Sequence, residues 1–142
     1  MKTQGEVSQP RFRLPKGRYY IGDPTYILND QALERVSEGL RRASRERQDG
    51  FMVRANKHNS FTQLIVCFKT KYKEGLYRSS EGNSYGINSG LLCIVDVLAN
   101  CFKSNLENNL FITENFFDGD FTAQKYMNWV VRFNKIRINT GA

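Results

Sequence analysis

Two glycine- and tyrosine-bearing segments constrain this chain more than any others. The first is Gly17-Arg18-Tyr19-Tyr20-Ile21-Gly22-Asp23-Pro24-Thr25-Tyr26. The second is Gly75-Leu76-Tyr77 followed by Glu81-Gly82-Asn83-Ser84-Tyr85-Gly86-Ile87-Asn88-Ser89-Gly90-Leu91. Each joins a short β-like run to a turn that few residue types can make. Pro24 has a fixed φ and no N–H, which keeps it out of a central strand. Residues 17–28 therefore read as two short strands broken at Gly22-Asp23-Pro24. Asp23 is suited to accept a local backbone N–H, as in an Asx-turn, and Gly22 to supply backbone freedom denied to residues with a Cβ. In the second segment, 75–79 and 84–88 read as a hairpin around Ser80-Glu81-Gly82-Asn83. Asn88-Ser89-Gly90 turns again into the apolar run 91–98, which predicts a three-strand meander.

One helix is expected, over residues 31–47. Leu33, Val36, Leu40 and Ala43 recur at helical spacing and form one apolar stripe. Asn29 or Asp30 supplies the N-cap, and Gly50 fits a C-terminal stop. Gly39 costs about 1 kcal/mol relative to Ala inside a helix, which suggests a close approach to a sheet. Strands are expected at 51–54, at 61–68 as a central strand, and at 110–114. Residues 116–121 read as an aromatic loop around Asp118-Gly119-Asp120. Residues 126–133 and 135–139 read as a last hairpin across Asn134-Lys135. The predicted fold is α+β and mainly antiparallel β: a curled sheet or partly closed barrel with one amphipathic helix. Residues 1–13 are expected to be a flexible basic N-terminal tail, and 14–142 a single β-rich domain. At 142 residues such a chain buries about two-thirds of its unfolded surface and needs no metal or disulfide to fold.

The net charge of +7 is unevenly spread. Residues 1–72 hold twice as many Lys and Arg as Asp and Glu, whereas residues 73–142 hold equal numbers. Such asymmetry suits an anionic partner or an acidic protein surface, and also a plain solvated basic face. No apolar run is long enough for a membrane span, and 1–13 contains no apolar core of a secretory signal. Cys67, Cys93 and Cys101 lack paired spacing. Cys67 and Cys93 lie in apolar runs and read as small buried side chains, which together with the missing signal points to a reducing cytoplasm.

Catalytic groupings are sparse, so no catalytic residue, metal or cofactor is expected. His58 is the one histidine, and no carboxylate lies near it in sequence to orient it; it reads as a surface residue. Asp118 and Asp120 could offer oxygens to a cation but fit an acidic turn. The 81–90 segment is rich in free N–H groups that can cradle an anion, yet no Gly-Lys-Ser/Thr or helix follows. Asp23 beside Pro24 reads as a turn former. A binding surface remains. Its candidate residues are Arg18, Tyr19, Tyr20, Tyr26, Lys71, Tyr77, Arg78 and Tyr85 on or near strands, and Arg35, Arg41, Arg42 and Arg45 on the helix. Aromatics interleaved with cations can stack bases and track phosphates, or form a protein interface. Gly22, Asp23, Pro24, Gly82 and Gly90 are expected to shape turns.

The pattern Gly17-x-Tyr19-x-Ile21-Gly22-Asp23-Pro24-x-Tyr26, Gly75-x-Tyr77, Gly82-x-x-Tyr85-x-Ile87-x-x-Gly90-Leu91 and Ile136-x-Ile138-Asn139-Thr140 resembles small bacteriophage and bacterial proteins. These are typified by an Ile-Gly-Asp-Pro-Cys-Tyr segment. Here Thr25 stands where that group has Cys, so no thiol chemistry is available at that position. The resemblance implies a shared β fold and raises the prospect of a virus-encoded protein acting on a host component. The leading expectation is a non-enzymatic cytoplasmic protein that engages a host protein through its basic, tyrosine-bearing first half. Nucleic-acid binding is the alternative. A nucleotide binder or enzyme using the glycine-rich loops with Asp23 or His58 comes third.

Overall fold

Strands that are apolar at nearly every position can be accommodated only between two covering layers. Two of this kind form the centre of the molecule: β4 (Leu64–Lys69) and β7 (Leu91–Asp96), paired antiparallel with Cys67 opposite Cys93. The computed structural model describes residues 11–54, 64–96, 113–117, 119–126 and 128–141. Within it, β3 (Gly50–Arg54) flanks β4, and β2 (Gly17–Gly22) and β8 (Thr113–Phe117) extend the sheet beyond β7 in the order β3-β4-β7-β2-β8. A second sheet, ordered β1-β9-β10-β11, contains β1 (Arg11–Leu14), β9 (Phe121–Lys125), β10 (Val130–Phe133) and β11 (Ile136–Asn139).

Alternation along the central strands assigns the two faces. Ile21, Val66, Phe68, Leu92 and Ile94 pack with Leu14, Phe121, Val131, Phe133 and Ile138 of the second sheet. Ile65, Cys67, Cys93 and Val95 pack instead with helices α1 (Pro24–Ile27) and α2 (Asp30–Arg45). A hairpin of β5 (Gly75–Arg78) and β6 (Ser84–Ile87) adds Tyr77, Tyr85 and Ile87 to the inter-sheet core. The fold is therefore α+β and mainly antiparallel, with one main helix. Its layers run helix, five-stranded sheet, four-stranded sheet. Of the two expected forms, a curled sheet or a partly closed barrel, the strand orders close no barrel, and the two larger sheets share one core between them.

Several local expectations change. Arg11, Phe12 and Arg13 are not tail but strand, paired with Gln124, Ala123 and Thr122. The predicted meander is broken, because β7 pairs with β4 and β2 and not with β6. The chain after Asp23 is not a resumed strand but a single helical turn, capped by Asp23 with Pro24 at its first position, where a missing N–H costs nothing. Helix α2 ends without Gly50. Arg47 takes the left-handed conformation at φ 58°, and the Gln48 N–H donates to Ala43 O at 2.8 Å, a Schellman closure. Gly22 has no positive φ, and a Cβ there would meet nothing. Gly82 and Gly90, at φ 87° and 81°, do use their freedom. Gly39 allows the expected close approach: a Cβ would lie 2.6 Å from the Phe51 ring.

Cys67 and Cys93 are buried, and their sulfurs are joined as a disulfide across the β4–β7 ladder. Strand register brings together two cysteines 26 residues apart. A reducing cytoplasm does not lead one to expect that bond. Cys101, His58, Asp118 and residues 1–10 lie outside the described residues. No described helix is long and apolar enough to cross a membrane.

The two glycine-tyrosine segments meet at Asp23, which is 1% exposed. Its Oδ1 accepts from the Thr25 N–H at 2.8 Å and the Thr25 hydroxyl at 2.6 Å. Its Oδ2 accepts from the N–H groups of Asn88 and Ser89 at 2.6 and 2.7 Å. One carboxylate thus caps α1 and anchors the turn entering β7. Hydrogen bonds to a charged group contribute about 1.5–3 kcal/mol each, and an orphaned buried donor costs a similar amount. Asp23→Asn turns one oxygen into an NH₂ that faces donors. It should lower unfolding free energy by about 2–3 kcal/mol in urea denaturation; an unchanged midpoint would show that the clamp contributes nothing.

Candidate nucleic-acid interface

Strand alternation sorts the four-stranded sheet into an apolar inner face and a basic outer one. Phe12 turns inward and meets the Phe68 ring edge-on at 5.9 Å. Arg11 and Arg13, on either side of it in sequence, are exposed. On β9, Phe121, Ala123 and Lys125 are buried while Thr122 and Gln124 face out. On β10 and β11, Arg132 and Arg137 alternate with buried Val131, Phe133, Ile136 and Ile138. The register then sets Arg11 opposite Gln124, Gln124 opposite Arg132, and Arg132 opposite Arg137. Four side chains, three of them arginines, form one row across the sheet.

None of these four strands contains an acidic residue. Like charges directly opposite one another on paired strands are destabilising, and Arg132 opposite Arg137 is such a pair. Among the described residues no carboxylate forms an ion pair with Arg11, Arg132 or Arg137. Arg13 meets Asp120 at 3.4 Å, with both side chains more than half exposed, an arrangement of small energetic value. A cleft of about 420 Å³ opens on this face, lined by Arg11, Asp120, Phe121, Thr122, Gln124, Tyr126, Arg132 and Asn134. Asn134 forms the β10–β11 turn at φ 54°, donates its N–H to Thr122 O, and receives the Arg132 Nε–H on its own carbonyl at 3.3 Å.

The candidate residues named from sequence do not share a surface. Tyr19, Tyr77 and Tyr85 are each 1% exposed and belong to the inter-sheet core. Tyr20 is half-buried against the helix-side core. Tyr26, Arg18, Lys71 and Arg78 are exposed, and Lys71 lies over the Tyr72 ring. Arg41, Arg42 and Arg45 are exposed on α2, across the five-stranded sheet from the arginine row. Arg35 is half-buried and pairs with Glu38 at 3.0 Å. Arg35 and Arg42 also donate to Arg54 O and Met52 O, covering carbonyls of β3, an edge strand. With Asp30, Glu34 and Glu38 in the same helix, that surface is mixed in sign. In the 81–90 loop the N–H groups of Asn88 and Ser89 donate to the buried Asp23 and those of Glu81, Gly82 and Asn83 to Ser79, and no group of three His, Cys, Asp or Glu suited to a metal occurs among the described residues.

At one end of the inter-sheet layer Lys125 is nearly buried, donates to Asp49 Oδ2 at 2.9 Å, and sits 3.5 Å over the Trp129 ring. Desolvation lowers its pKa despite the Asp49 bond. Comparison with protein-family models, curated proteins and solved structures finds no match to this chain. The row was hidden from sequence reading because it unites the first strand with the last three, and because all of it but Arg11 lies where cations and carboxylates balance. The signal available was the alternation itself, in Arg11-Phe12-Arg13-Leu14 and Ile136-Arg137-Ile138-Asn139.

Burial, then the charges of Asp96 and Asp120, raise the Tyr19 phenol far above its ordinary value of 10.0. The folded chain keeps this proton while the unfolded chain releases it, so stability present below about pH 10 is lost as pH climbs beyond it. Lys125 acts oppositely, since its lowered pKa makes the folded chain shed a proton first. The Tyr19 effect is therefore read as a difference between variants. Tyr19→Phe loses the 2.7 Å bond to Pro15 O and should cost about 1 kcal/mol at neutral pH. Its melting temperature should then fall less steeply than that of the wild type above about pH 10. Parallel curves would contradict this.

Proposed function

We propose that the protein binds nucleic acid on the outer face of its four-stranded sheet, with Arg11, Arg132 and Arg137 as the phosphate contacts. The observation that supports this most is the in-register row: three guanidinium groups are held on an exposed face whose own strands supply no counter-charge. Such a row costs stability in the free protein and is relieved by a polyanion, whose bound counterions are released in exchange. Arginine suits the task because its planar fork pairs with two phosphate oxygens at once. Engagement of a host protein through the tyrosine-bearing first half has less support, because Tyr19 is in the core and Tyr20 is half-buried against the helix-side core. A cytoplasmic location, in a host cell if the protein is viral, suits this ligand class, but the Cys67–Cys93 disulfide speaks against a reducing compartment.

Fluorescence anisotropy with labelled oligonucleotides over a salt series tests the proposal. The wild type should bind at low salt, with log affinity falling linearly against log salt. Arg132→Ala with Arg137→Ala should weaken binding at least about tenfold and reduce the salt slope by about 1.5. Arg41→Ala with Arg45→Ala, on α2, should change it little. Equal binding of polyglutamate, or loss only with the helix pair, would contradict the assignment.

A further inference from the structure

Resting on that assignment, we infer that the ligand is single-stranded, crosses the four strands along the arginine row, and stacks one base on Tyr126. Three features of the face lead there. The first is width. Side chains in register on four neighbouring strands span about 14 Å at the usual strand spacing. The major groove of a duplex is about 12 Å wide and admits a helix or a two-stranded ribbon. A four-stranded face is too broad to enter it and would touch a duplex only along its outermost phosphates. A single strand can lie flat on the same face and place successive phosphates over Arg11, Arg132 and Arg137.

The second feature is Tyr126, which follows β9 in the outward phase set by Thr122 and Gln124. It is 42% exposed and lines the same cleft as Arg11, Gln124 and Arg132. A tyrosine ring beside a row of cations offers a stacking platform, and stacking is open only to unpaired bases. The third is the neutral polar part of the cleft's lining, beside the Asp120 carboxylate, whose charge is met by Arg13 at 3.4 Å. Thr122, Gln124 and Asn134 offer hydroxyl and amide groups, which can donate to and accept from the exposed edges of such a base.

The test compares a single-stranded oligonucleotide with a hairpin duplex of the same sequence, by anisotropy at low salt. The single strand should bind at least about tenfold more tightly. Tyr126→Ser should reduce single-strand affinity by about 5- to 100-fold and leave duplex affinity unchanged. Tyr126→Phe, which keeps the ring, should restore single-strand binding. Duplex binding as tight as single-strand binding, or equal losses from Tyr126→Ser on both, would overturn this inference while leaving the phosphate-binding role of the arginines in place. Absence of binding to either form would remove both.

Discussion

The pairing of β1 with β9 is the constraint on which the basic face depends. It closes the four-stranded sheet at its first strand and fixes which side chains look outward. In its observed register Leu14 stands beside Phe121 and Phe12 beside Ala123, with Arg11 and Arg13 on the far side. A slip of one residue would exchange the two sets, exposing Phe12 and Leu14 and driving both arginines into the inter-sheet core. Burial of those two apolar side chains therefore holds the arginines in solvent. The energy that orders the face comes from the inner side of the sheet, which lets the outer side keep a charge pattern that is unfavourable by itself.

The central sheet is organised in the same way, by layers and not by local propensity. Leu91 to Val95 is apolar at every position, so β7 needs cover on both faces. Helix α2 supplies one cover, brought close because Gly39 leaves room for the Phe51 ring. The second sheet and the β5–β6 hairpin supply the other. The Asp23 carboxylate joins the helical side to the entrance of β7 with four short bonds. This gives the Gly-Asp-Pro segment a structural role that sets the turn geometry for both glycine-tyrosine motifs.

Much of the architecture was legible in the sequence. Leu33, Val36, Leu40 and Ala43 marked the helix, and Gly82 the hairpin turn, while the cap was narrowed to Asn29 or Asp30, of which Asn29 serves. The last hairpin across Asn134 was also legible, with asparagine accepting the positive φ. What was not legible required knowing which strands are neighbours. No spacing rule shows that Arg11 lies two strands from Arg132, or that Cys67 faces Cys93. The tyrosines misled for a related reason. Tyr19, Tyr77 and Tyr85 lie in strands near Arg18 and Arg78, but the pleat sends alternate residues to opposite sides, so cations in adjacent positions sit on the face away from the rings. The Arg-rich helix drew attention through its composition, yet its carboxylates and the β3 carbonyls already engage some of those cations.

The proposed binding of nucleic acid on the arginine row is tested most directly by following backbone amide resonances during titration with a short single-stranded oligonucleotide. Binding to the arginine row predicts progressive shifts at Arg11, Thr122, Gln124, Tyr126, Arg132 and Arg137, with α2 unaffected. Shifts centred on Arg41, Arg42 and Arg45, or on the 81–90 loop, with the four-stranded sheet unmoved, would contradict it.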